Sequence, residues 1–104
     1  ISCAGNQAQK FSEDAQSVLP VIYHANRFYH NDNQKDASSV EILEKLEYLA
    51  IDAESKKYWT FSLVIENDKI VRIVATSKID FPDGEGKTII YNVESGEYSG
   101  DLVE

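Results

Sequence analysis

The sequence predicts an α+β fold: a long N-terminal helix packed on an antiparallel meander of three to four strands, with a short second helix in the connecting region. Three observations predict it. Apolar residues recur every three or four positions through the first third of the chain. Aromatic and β-branched residues crowd into short runs in the second half. Turn-forming clusters separate those runs. Helices first and strands afterwards is the order of α+β folds rather than of alternating α/β ones.

The long helix is expected over 1–31. Ala4, Ala8, Phe11, Ala15, Val18, Ile22, Ala25 and Tyr29 recur about every 3.6 residues, the α-helical period. Leu19 and Phe28 widen the stripe in its second half, and Asn31-Asp32-Asn33 closes the helix with turn-forming residues. Some 28 residues at ~1.5 Å each reach ~42 Å. A compact domain of this size is only roughly 35 Å across. The stripe is also graded, because its first half offers mainly alanine, and only large side chains bury much apolar area, at ~25 cal/mol per Å². Residues 1–17 are therefore expected to form a stem that projects or packs thinly. Pro20, costing ~3 kcal/mol in a helix interior, is expected to kink the helix between stem and docked half, or else to mark its start.

Residues 32–57 read as a loop and one short helix. Ser38 and Glu41 form a capping-box pattern, and Ile42, Leu43, Leu46 and Leu49 make the apolar face. Residues 58–104 read as the sheet, with strands at 58–66, 70–77 and 87–94 and a short fourth at 97–99. Asn67-Asp68-Lys69, the loop 81–86 and Ser95-Gly96 separate them. Trp59 and Phe61, two apart on one strand face, are expected in the core rather than on a binding platform. The 104 residues suit a single domain.

Eighteen acidic residues against ten basic ones give a formal charge of −8, which disfavours nucleic acid and anionic membrane surfaces as partners. One cysteine, Cys3, excludes an intrachain disulfide. No apolar run reaches the ~18–20 residues that span a bilayer. The opening Ile1-Ser2-Cys3-Ala4-Gly5 does not resemble a translation start, so a targeting or anchoring segment is expected upstream.

Candidate chemistry is sparse. His24 and His30 are six apart and do not form a helical metal pair. Asp80, Asp83 and Glu85 alternate with Gly84 and Gly86, a composition that suits either Ca²⁺ or a solvated turn. Cys3 lacks a neighbouring base or oxyanion donor, so it does not read as a nucleophile. Ile1-Ser2-Cys3-Ala4 instead has the form of the end of a lipobox, making Cys3 a candidate lipid anchor. No catalytic constellation emerges, and neither enzymatic activity nor a cofactor is expected.

The order of elements resembles the type IV pilin and type II secretion pseudopilin family, seen as a soluble head without its hydrophobic N-terminal segment. The carriers are the Ala-rich helix ending in Phe28-Tyr29 and Asn31-Asp32-Asn33, the Leu-rich short helix, and the opening Lys57-Tyr58-Trp59-Thr60-Phe61. Ile73-Val74-Ala75-Thr76-Ser77 and the stretch from Gly86 to Asn92 closed by Ser95-Gly96 complete it. The resemblance implies a structural subunit of a bacterial extracytoplasmic filament. That subunit would self-associate with like subunits through its helix and meet the membrane only through the missing segment. The implied assembly face is Ala4, Ala8, Phe11 and Ala15. The competing expectation is an extracytoplasmic lipoprotein or PepSY-like binding module anchored at Cys3, suggested by the closing strand 91–97. Such a module needs only a short first helix.

Overall fold

The structure, a computed structural model, describes residues 3–102, with side chains from Ala8 onward. Its elements run α1 (Cys3–Asn33), α2 (Val40–Lys45), α3 (Ala53–Tyr58), β1 (Trp59–Glu66), β2 (Lys69–Ser77), β3 (Thr88–Asn92) and β4 (Glu97–Ser99). The four strands form one antiparallel sheet in the order β1-β2-β3-β4. The α+β class and the sequential sheet order thus match expectation. The molecule measures 50 × 26 × 17 Å. At ~1.5 Å per residue, the 31-residue α1 spans about 46 Å, nearly the whole long axis.

The pleat sorts the sheet. Phe61 pairs with Ala75 and Leu63 with Ile73, while Ile89 and Tyr91 continue the same rows on β3. Trp59, Phe61, Ile73, Ala75 and Ile89 are buried, and they share one core with Leu19, Ile22, Ala25 and Tyr29 of α1. Asn67 and Asp68 both take positive φ, 54° and 63°, as a two-residue hairpin turn between β1 and β2 requires. Gly100, at φ 113°, is required at its position: a Cβ there would lie 2.7 Å from the Thr88 carbonyl oxygen. The chain after β4 therefore crosses β3 in backbone contact, where Asp101 accepts from the Thr88 N–H at 3.2 Å.

Several expectations need correction. The helix is continuous from Cys3 to Asn33, with Pro20 inside it, so Pro20 does not mark its start. The described part of the stem is packed: Ala8, Ser12 and Ala15 are buried, and Phe11 stacks on Tyr58 with ring centroids 4.1 Å apart. The reason is α3, which the sequence reading left as loop. Asp52 caps it by accepting from the Ser55 N–H at 3.2 Å, and its last residue carries the ring that covers Phe11. The cap of α2 is Ser39 rather than Ser38, accepting from the Ile42 N–H at 3.2 Å. Phe28, assigned to the docked face, is 66% exposed.

The continuity of α1 through Pro20 has a local cause. Proline has no N–H, so the carbonyl four residues earlier, that of Gln16, loses its helical donor. The Tyr98 hydroxyl of β4 donates to that oxygen at 3.0 Å. A last-strand side chain thus replaces the missing helical bond and ties the sheet's edge to the helix. Tyr98 itself leans on Tyr91, centroids 5.4 Å apart, and Tyr91 on Tyr23 of α1 at 6.3 Å. Burial, and secondarily Tyr91, raise the Tyr98 pKa, keeping the hydroxyl protonated as a donor.

Tyr98→Phe is expected to cost about 1 kcal/mol, the ordinary net value of such a bond. In a Pro20→Ala background the new N–H serves Gln16 directly, and the same change is expected to cost close to nothing. Urea unfolding of the four proteins in this cycle measures the coupling.

Candidate functional site

Of the four residues expected to form an assembly face, Ala4 lies outside the residues whose side chains are described, as does Cys3. Ala8 and Ala15 are buried inside the domain and Phe11 is half-covered by Tyr58. The described part of that stripe is therefore used within the chain. The opposite side of α1 is open. Val21 and Phe28, seven apart and so two turns along one face, are 51% and 66% exposed, with exposed His24 between them. Sequence reading missed this face because Phe28 sits beside Tyr29 and was counted with the core stripe.

His24 and His30 are not brought together into a metal site. Among the described residues no three His, Cys, Asp or Glu side chains converge to hold an ion, and this includes Asp80, Asp83 and Glu85. His30 instead meets Asp36, Nδ1 to Oδ1 at 2.9 Å. The other oxygen of Asp36 accepts from the Ile70 N–H at 2.9 Å. Beside it, buried Asn26 accepts from the Ala37 N–H at 2.8 Å. One carboxylate thus joins the last turn of α1, the following loop and the start of β2. Tyr48 reinforces this end, donating to Asp32 at 2.6 Å, a bond that raises the tyrosine pKa.

Two clefts flank the domain at opposite ends. One, of about 300 Å³, lies between the first half of α1 and α3, lined by Lys10, Phe11, Asp14, Asp52, Glu54 and Tyr58 among others. Its aromatic rings already stack on one another, and Asp52 is committed to Ser55, whose hydroxyl and N–H hold its carboxyl below the ordinary value. The other, of about 610 Å³, lies beside the Asp36 node and is floored by Tyr29, Ile42 and Ile65.

The loop 78–87 closes the end opposite this second cleft. It begins with two consecutive turns, marked by bonds from the Phe81 N–H to the Lys78 carbonyl at 3.0 Å and from the Gly84 N–H to the Phe81 carbonyl at 2.9 Å, and a third turn follows at 85–86. Phe81 is buried against Trp59, ring centroids 4.8 Å apart. Buried Ser77 pins the far side, donating to the Gly84 carbonyl at 2.7 Å and accepting from the Lys87 N–H at 2.9 Å. The loop is thereby held rigidly while Ile79, at 77% exposure, stands in solvent.

Compared with protein-family models, curated proteins and solved structures, the chain matches none.

The Asp36 node sets an acid limit on the fold. Burial pushes its carboxyl up, but the bonds from Ile70, His30 and Asn26 outweigh it, and the pKa is lowered. A depressed folded-state pKa contributes stability that is present above the unfolded value, about 3.9, and is lost as pH falls through the folded one. Asp36→Asn, which mimics the protonated acid, is expected to cost about 1–3 kcal/mol at neutral pH. The gap from wild type should close below the folded pKa. Urea unfolding of both proteins across an acid series checks it.

Proposed function

We propose that this chain is the head of a filament subunit of the type IV pilin and pseudopilin kind, assembling through α1 and displaying its sheet outward at a bacterial surface or in the periplasm. The observation that carries this reading is the form of α1. It is one 31-residue helix as long as the molecule, with one side covered by the sheet and the other open. The core uses one side of α1 from Ala8 to Tyr29, and the side left open along the same length is a surface on which helices of neighbouring subunits can overlap.

Further support comes from where the resembling segments fall. Phe28-Tyr29 lies near the end of α1, Lys57-Tyr58-Trp59 spans the junction of α3 with β1, and the stretch from Gly86 to Asn92 leads into and forms β3. The four strands follow in sequential order. A PepSY-like module would leave the length of α1 without a role. In this reading the assembly surface is the open side of α1, with Val21 and Phe28 as its apolar contacts, since Ala8 and Ala15 are already covered. Burying a side chain of that size between subunits is worth about 1.5–3 kcal/mol.

Immunogold labelling with antibody against this chain, on surface material sheared from cells that produce it, should decorate filaments. Phe28→Asp should abolish them while the purified domain keeps its melting temperature within a few degrees. Label confined to unassembled protein in wild-type cells would contradict the proposal.

A further inference from the structure

We infer that copies of this chain join head to tail, the rigid loop 78–87 of one seating in the cleft beside Asp36 of the next. This inference rests on the filament reading above and names a contact within it.

The two surfaces lie at opposite ends of the same strand. β2 begins at Lys69, which lines the cleft, and ends at Ser77, which anchors the loop. Eight steps at ~3.3 Å put them about 26 Å apart. A contact between opposite ends is heterologous, so it does not close on itself in a pair; it adds copies one after another, into an open chain unless the rotation per copy closes a ring.

The surfaces also complement each other. Ile79 is the most exposed of the large apolar side chains described, and it sits in the first of the loop's turns. The cleft offers Tyr29, Ile42 and Ile65, the last 40% exposed, as an apolar floor. Around Ile79 the loop carries Asp80, Asp83 and Glu85, and its lysines lie at its base, Lys78 bonded to the Lys56 carbonyl at 2.8 Å. Lys35 and Lys69 line the cleft, and Arg27 lines an adjoining one that shares His30, Asp36 and Lys69 with it; none of the three is in an ion pair among the described residues. Of the two acids on that rim, Asp36 is already engaged by His30 and the Ile70 N–H, leaving Asp68. In a chain of net charge −8, these basic side chains lower the repulsion that an acidic loop meets here. The pinning by Phe81 and Ser77 means that the loop loses little freedom on docking.

Sedimentation velocity of the purified chain in reductant, up to about 1 mM, where weak contacts of this kind populate, should show an open series of species. Raising salt should shorten it. Ile79→Asp and Ile65→Asp should each move association to at least ~10-fold higher concentration, the loss of one buried aliphatic contact. An equimolar mixture of the two should form a dimer and nothing longer, because one retains only a working cleft and the other only a working loop. Lys69→Glu should weaken the series and Asp80→Lys in the same chain should restore it, a rescue that misfolding cannot mimic. A wild-type chain that stays monomeric throughout, or an Ile79→Asp chain that associates like wild type, overturns the inference. Cellular filaments that persist unchanged with Ile79→Asp would remove this contact and leave the filament reading standing.

Discussion

The structure depends on how one carbonyl is satisfied. Pro20 sits in the middle of α1 and removes the donor for Gln16, yet α1 continues. The replacement donor, Tyr98, comes from a strand 82 residues later. A helix interrupted at Pro20 would leave residues 8–16 without a rigid link to the rest. With Tyr98 in place, the helix and the edge of the sheet hold each other. β4 has only three residues, and three residues of ladder alone do not fix a strand firmly. Its anchorage comes from Tyr98 on α1 and from the Gly100–Asp101 crossing over Thr88.

The second constraint sits at the other end. Asp36 takes the N–H of Ile70 and meets His30, so the end of α1 is tied to the start of β2. Tyr98 and Asp36 lie at well-separated points along α1, bonding near Gln16 and His30. Together they fix the second half of the helix against the sheet. The large apolar side chains left exposed include Val21 and Phe28 on the outward side of α1 and Ile79 on the loop 78–87.

Much of this was legible in the residues. The α1 period was readable because Leu19, Ile22, Ala25 and Tyr29 repeat with the helix, and all four are buried. The strands were readable from alternation, and the β1–β2 turn from Asn67-Asp68. Trp59 and Phe61 are in the core as their spacing implied. Other features were hidden for physical reasons. α3 is six residues long with Lys56 and Lys57 facing water, so it lacks an apolar stripe. The packing of Ala8 and Ala15 could not be read from their small side chains, because what covers them comes from distant elements. Phe28 and Tyr29 are adjacent aromatics on a helix, and about 100° of rotation sends one outward and the other inward. The cleft beside Asp36 draws on α1, the following loop, α2 and the β1–β2 turn, a convergence that no local pattern encodes.

The central claim is that α1 and the sheet form one cooperative unit, including the part of the helix before Pro20. Native-state hydrogen exchange followed residue by residue tests it most directly, because independent segments open at lower free energy than the core. Amides at 12–19 are expected to exchange with nearly the same opening free energy as those of β2. Exchange of 12–19 at markedly lower free energy, with 21–30 and β2 still fully protected, would show a stem that stands apart from the domain and would contradict it.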